Sequence, residues 1–224
     1  MYVGWHMKTN LVTVSPEASI LKAREMMDSH KISHLPVTDG RAHLLGLITD
    51  RDLKKAWASS ATTLSVYELT YVLQKVKVES IMTQDVTVAT PDMTIEKAAS
   101  LLRDRKIGSL PVVQDGKLVG ILTTADLMEV LLNAMGATGQ DSKRLSLLVK
   151  DRIGTLADLG EHMRRANVNI RSIIIVPLRG HEEVWQLILR VNQEAFSTAL
   201  DVLQEAGYRV LTQYVEDPAP YLPA

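Results

Sequence analysis

Apolar residues in the first 133 positions trace one pattern twice. Ile20, Ala23 and Met27 fall at helical spacing and lead to two short apolar runs, LPVTD and LLGLIT, joined by a polar turn containing Gly40. Ile95, Ala98 and Leu102 lead in the same way to LPVVQ and LVGILT around Gly116. Ser19 and Thr94 stand where a helix N-cap belongs, each shortly after a proline and a β-rich run, LVTV or DVTVAT. A second helix starts at Thr49 and again at Thr123. The predicted order is β-α-β-β-α, twice.

The residues repeat as well as the pattern. Val3, Met7, Pro16, Ile20, Ala23, Lys31, Ile32, Leu35, Pro36 and Val37 return as Val78, Met82, Pro91, Ile95, Ala98, Lys106, Ile107, Leu110, Pro111 and Val112. The offset shortens by one residue where RAHLLG faces GKLVG. Gly46, Thr49, Asp52 and Leu53 then meet Gly120, Thr123, Asp126 and Leu127. So many coincidences at a fixed spacing mark an internal duplication. Between the copies, Val66, Leu69, Val72, Leu73 and Val76 predict an amphipathic helix packing back on the module.

Beyond the Gly/Ser-rich NAMGATGQDSK the period changes. RLSLLV reads as a strand, and Leu156, Leu159 and Met163 make one helix face. NVNIRSIIIVP and VWQLILRV are strands around a PLRGHEE hairpin. Phe196, Leu200 and Leu203 mark a helix ended by Gly207, and YRVLTQYV is a closing strand. That order, βαββαβ, is a ferredoxin-like sandwich. The chain therefore divides into 1–76 with the connecting helix, 77–137, a linker 138–143, a third unit 144–217, and a Pro-rich tail 218–224 expected to be loose. The fold class is α+β.

Composition narrows the functions. A net charge of −1 with mixed signs offers no basic stripe, so neither nucleic acid nor a membrane surface is an expected partner. The absence of cysteine removes disulfides, thiolate nucleophiles and cysteine metal sites. No apolar run approaches the roughly 18 residues of a membrane span, and MYVGWHMKTN does not read as a signal peptide, so the expected location is cytoplasmic. Histidines stand at 6, 30, 34, 43, 162 and 181, none of them in an H-E-x-x-H sequence. G-x-S-x-G, G-x-x-x-x-G-K-[ST] and G-x-G-x-x-G do not occur. Asp50 and Asp52 could be pictured as magnesium ligands or an acid/base pair, yet on a helix start they point in different directions. A non-enzymatic protein is expected, without catalytic residue, metal or catalytic cofactor.

The recurring T-x-x-D has two explanations. In a capping box the threonine caps the helix and the acid bonds back. Thr155-x-x-Asp158 stands at a third helix start outside the duplication, so capping suffices to explain the pattern. The same geometry also suits a nucleotide, because helix N–H groups and dipole attract phosphate and a carboxylate accepts from ribose hydroxyls. Arg51 adds a cation in the first copy, where the second has Ala125.

ISHLPV with GLITDRD, and IGSLPV with GILTTAD, make residues 3–133 resemble a tandem pair of CBS domains, a Bateman module. VKDRIGTLADL followed by NVNI makes 144–215 resemble an ACT domain, with Ile153 where that family usually has proline. The CBS–CBS–ACT order resembles the bacterial family typified by acetoin-utilisation protein B. The resemblance implies clefts between the copies for adenosine ligands: AMP, ADP, ATP, S-adenosylmethionine or NADH. It assigns Ile32, Ser33, His34 and Pro36, and Ile107, Gly108, Ser109 and Pro111, to the adenine pocket. Thr49, Arg51 and Asp52, and Thr123 and Asp126, would hold ribose and phosphate. For the ACT unit it implies a small amino acid at Asp151, Arg152, Ile153, Gly154, Asn169 and Ile170, and pairing with a second subunit as a homodimer. The expected function is a regulatory sensor acting on a protein partner, accessory to acetoin catabolism; the alternative is a ligand-free oligomerisation scaffold.

Overall fold

Ser19 and Thr94 start the first helix of each copy as their side chains predict, accepting from the N–H groups of Lys22 and Lys97 at 3.2 and 3.3 Å. In the computed structural model, which describes residues 1–60, 71, 73–138 and 141–223, these helices are α1 (Ile20–His30) and α3 (Ile95–Arg105). Both end on a lysine in the left-handed region, Lys31 and Lys106, each with φ 54°. Hairpins follow: β1 (His34–Thr38) with β2 (Leu44–Thr49), and β3 (Ser109–Gln114) with β4 (Lys117–Thr123). The one-residue difference between the copies is absorbed in the turns. Asp39 organises the first by accepting from the N–H groups of Arg41 and His43, while Asp115 and Gly116 close the second in the left-handed region.

The runs LVTV and DVTVAT are shorter than predicted. Val14 and Ala89 each make one parallel bridge, to Val37 and Val112, and no continuous strand forms. Helices α2 (Asp50–Ser60) and α4 (Thr124–Ala134) begin where β2 and β4 end. Of the predicted connecting helix, Tyr71 and residues 73–75 are helical, and Leu73 and Val76 pack into the first copy's core. Val66, Leu69 and Val72 lie outside the described residues. The structure groups Met1–Met128 and Glu129–Ala224 as two compact units.

Within the first unit, the segment preceding each copy folds onto the other copy. Val3 and Gly4 donate to the carbonyls of Met93 and Pro91, and Lys8 exchanges two bonds with Ile121. Val78 and Glu79 donate to Ala18 and Pro16, and Thr83 exchanges two bonds with Leu47. Val3 and Val78, repeat partners, are both fully buried by this exchange. Glycine is required where the crossing segments touch down. A Cβ on Gly46 would lie 2.7 Å from Met82 Sδ and 2.8 Å from the Thr83 carbonyl, and one on Gly120 would collide with Met7.

The second unit pairs β5 (Ser142–Lys150), β6 (Ile170–Pro177), β7 (Val184–Asn192) and β8 (Val210–Leu211) in the order β6-β7-β5-β8. Alternation sends Leu145, Leu147, Val149, Leu187, Leu189 and Val191 to one face. There they meet Leu159 and Met163 of α5 (Thr155–Arg165) and Ala199 and Leu203 of α6 (Phe196–Glu205). The ferredoxin-like βαββαβ topology is as predicted, except that YRVLTQYV pairs over two residues only. The tail expected to be loose instead forms a turn at Ala219–Tyr221, and the Arg209 guanidinium donates to the Pro220 carbonyl. Among the described residues no helix is long and apolar enough to cross a membrane.

Gly46→Ala should lower stability by about 1–3 kcal/mol, because the added carbon meets a backbone oxygen that cannot rotate away. Urea unfolding checks this as a lower midpoint at unchanged slope; an unchanged midpoint would show that the crossing segment yields.

Candidate functional site

Where β2 runs straight into α2, Thr49 and Asp52 close on each other. Asp52 Oδ2 accepts from the Thr49 N–H at 2.9 Å and from its hydroxyl at 2.6 Å, and the Asp52 N–H donates to Thr49 Oγ1 at 3.3 Å. The other carboxylate oxygen has no partner among the described residues. Thr123 and Asp126 repeat the box at 2.7, 2.6 and 3.3 Å. There the remaining oxygen is taken: the Lys8 ammonium lies 2.9 Å from Asp126 Oδ1, and Asp126 is 6% exposed. Burial pushes the Asp126 carboxyl up, but the bonds from Thr123 and Lys8 outweigh it and hold the group below the usual carboxylate value.

The third T-x-x-D is not a box, which corrects the expectation that capping explains all three. Thr155 is already the first helical residue; its hydroxyl donates to the carbonyls of Lys150 and Arg152, and Asp158 pairs with Arg152 at 2.6 Å. The N-cap is Gly154 at φ +92°. A reciprocal box forms at the two starts where a strand residue becomes the cap, and those are the duplicated ones.

A cleft of about 710 Å³ opens at the first box. Ser33, His34, Thr49, Arg51 and Asp52 line it from the first copy, and Ile107, Gly108 and Ser109 from the second. The crossing segment contributes Thr83, Asp85, Val86 and Thr87. Three residues assigned to the adenine pocket stand elsewhere: Ile32 packs against the first copy's core, Pro36 is buried opposite Leu47, and Pro111 is buried opposite Ile121. Thr123 and Asp126 do not line this cleft.

The two copies meet through unlike residues. The His34 ring sits against Gly108, where a Cβ would come within 2.6 Å of Nε2, so the missing side chain makes room for the imidazole. Burial holds His34 below the usual histidine value, with the Asp52 charge opposing. Ser109, the repeat partner of His34, is 2% exposed, lines the cleft, and its hydroxyl has no hydrogen-bond partner among the described residues. An orphaned buried hydroxyl is costly, and a ligand donor or acceptor would satisfy it.

Charge is unevenly spread at the cleft mouth. Asp50, a conceivable metal or acid/base residue on sequence alone, is engaged by Arg24 at 2.8 Å and Lys54 at 2.6 Å; Lys54, then Arg24, hold its pKa down. Arg51, Lys55 and Lys106 make no ion pair among the described residues and line the same mouth. Lys55 and Lys106 were not predicted, although Lys106 adjoins the assigned Ile107. Asp85 and Thr87 could not be found without knowing that the segments cross. Among the described residues no group of three His, Asp or Glu side chains could hold a metal.

In the second unit, Asp151, Arg152 and Gly154 line a pocket of about 440 Å³ with Ile175 and Trp185. Ile153 is fully exposed and outside it. Asn169 and Ile170 are at the opposite end of the sheet. Ile170 pairs with Val191, abreast of Lys143, seven residues and about 23 Å along β5 from Lys150. One chain does not bring these six residues together.

Fold and cleft define a class first: a duplicated α/β pair with a polar, ligand-sized cleft between unlike halves. The CBS domain family matches residues 3–59 and 78–133, half of the chain, and the protein belongs to that family. Solved relatives agree. A Vibrio cholerae structure described as an acetoin utilization protein (AcuB) is 28% identical with TM-score 0.53, covering 61% of this chain and 93% of that one. The CBS pair of protein MJ0100, in complex with 5'-methylthioadenosine and S-adenosyl-L-methionine, is 28% identical with TM-score 0.51, covering 59% and 97%. CBSX2 in complex with AMP is 33% identical with TM-score 0.50, covering 59% and 96%. Inosine-5'-monophosphate dehydrogenase of Staphylococcus aureus is 28% identical over 181 residues, 78% of this chain but 33% of that enzyme. The chain thus spans about a third of the length of the curated relatives it matches.

His34 makes stability depend on pH with a definite sign. Its folded pKa is depressed, so between that value and 6.5 the unfolded chain binds the extra proton, and stability present above pH 6.5 is lost on acidification. The melting temperature of wild type should fall below pH 6.5 more steeply than that of His34→Gln; parallel curves would reject the assignment.

Proposed function

We propose that the chain is a non-enzymatic sensor whose first cleft binds an adenosine nucleotide. The observation that carries this is the asymmetric mouth: Asp52, with one oxygen unengaged among the described residues, stands at a helix start beside three cations that form no ion pair with them. Ribose hydroxyls donate to Asp52, and phosphate meets Arg51, Lys55 and Lys106 with the helix N-terminus behind them. Ser33, His34, Ile107, Gly108 and Ser109 frame the base, with Ile32, Pro36 and Pro111 as supporting core. Binding of AMP, and of 5'-methylthioadenosine with S-adenosyl-L-methionine, by related CBS pairs supports the ligand class.

The remaining parts of the reading follow from family order. Residues 1–76 and 77–137 are the two CBS repeats, 138–143 the linker, and 144–217 an ACT domain, whose βαββαβ topology supports it. An amino acid there would need a second subunit, because Asn169 and Ile170 lie far from the 151–154 turn. That requirement agrees with a homodimer. The protein is cytoplasmic, acts through a regulated protein partner, and is accessory to acetoin use, as likeness to the Vibrio cholerae protein suggests. The competing reading, an empty scaffold, leaves the buried Ser109 hydroxyl and the cluster of Arg51, Lys55 and Lys106 at the mouth without purpose.

Isothermal titration tests the cleft. ATP and AMP should bind more tightly than adenosine; Asp52→Ala should weaken all three by about 10- to 100-fold, and Arg51→Ala should weaken only the phosphorylated ones, by about three- to tenfold. No binding of any adenosine compound to a folded oligomer would establish the scaffold instead. For the second unit, an amino acid at about 100 times its Kd should stabilise by about 2.7 kcal/mol, read as a raised melting temperature that Asp151→Ala abolishes.

A further inference from the structure

The duplication supplies an internal control on the second Thr–Asp box. Lys8 and Thr83 are repeat partners and occupy the same kind of seat, each pinned by two backbone bonds to the strand before a box: Lys8 to Ile121, Thr83 to Leu47. What their side chains reach differs. Thr83 is short and lines the open cleft in which Asp52 keeps one oxygen without a partner among the described residues. Lys8 extends over Asp126 and puts its ammonium 2.9 Å from the corresponding oxygen. The lysine is 64% exposed and the aspartate 6%, so the lysine side chain lies on the solvent side of the carboxylate. The second box is covered from the direction a ligand would enter.

The rest of the second copy fits a closed site. Arg51, Lys54 and Lys55 of the first copy are replaced by Ala125, Met128 and Glu129, so no cation from that helix awaits a phosphate. Ammonium and Oδ1 already satisfy each other, while Thr123 satisfies Oδ2. A ribose hydroxyl arriving there would have to displace an ion pair and gain a bond from an uncharged donor in exchange.

We propose that Lys8 is a built-in plug: its ammonium takes the place of ribose at Asp126, so that the chain binds one adenosine nucleotide, at Asp52, and not two. This rests on the reading of the first cleft given above. It makes residue 8 the position that sets the number of sites. Substitution by threonine, the residue at the equivalent seat, should open the second box.

Titration of the full chain with AMP decides it. Wild type should bind one AMP per chain, weakened by about 10- to 100-fold in Asp52→Ala and unchanged in Asp126→Ala. Lys8→Thr should bind two, falling to one when combined with Asp126→Ala. Lys8→Ala guards against a folding defect peculiar to threonine and should behave alike, with melting curves confirming the fold. Two AMP per wild-type chain, or folded Lys8 variants that stay at one, would overturn the plug, as would weaker binding at the first site in those variants. If wild type binds no AMP, the first-cleft reading fails by itself; gain of an Asp126-dependent site in the Lys8 variants would still uphold the plug, and its absence would reject it.

Discussion

The reciprocal crossing of two short segments is the constraint on which the first unit depends. Each segment leaves its own copy, buries a valine, lays a methionine on a bare glycine and adds one bridge to the other copy's strand. Backbone hydrogen bonds fix the crossing at both ends, so neither copy is complete without residues from beyond its own boundary. The cleft owes its wall at Thr83–Thr87 to this exchange, and Asp126 owes its lysine to it.

Crossing also explains how a symmetric duplication yields unlike sites. The backbone seats are equivalent, but the residues delivered to them differ: threonine to one box, lysine to the other. Near the contact between copies, His34 needs the space left by Gly108, while the hydroxyl of its repeat partner Ser109 is buried without a partner among the described residues. Burial makes both differences matter. The same groups at an exposed surface would be screened and satisfied by water.

The second unit shows the opposite balance. Its alternating strands and two helix faces were legible as βαββαβ, and the sheet order follows. Its six assigned ligand residues were close enough in family pattern to be grouped, yet strand register separates Ile170 from the 151–154 turn by most of a strand's length. Pattern identifies an element; register decides what it stands beside.

From the sequence came the duplication, its offset, the helix caps at Ser19 and Thr94, the hairpins, and the polar residues Ser33, His34, Thr49, Arg51 and Asp52 that line the cleft. These are local: caps, turns and periodic faces depend on residues within a few positions of one another. Tertiary structure alone decided which T-x-x-D is a reciprocal box, since Thr155 and Thr49 read alike until one is seen inside its helix and the other at the end of a strand. It alone brought Lys8 to Asp126, 118 positions apart, and Lys106 to the mouth beside Arg51. Such pairs are made by chain crossing and burial, which leave no periodic trace in the sequence.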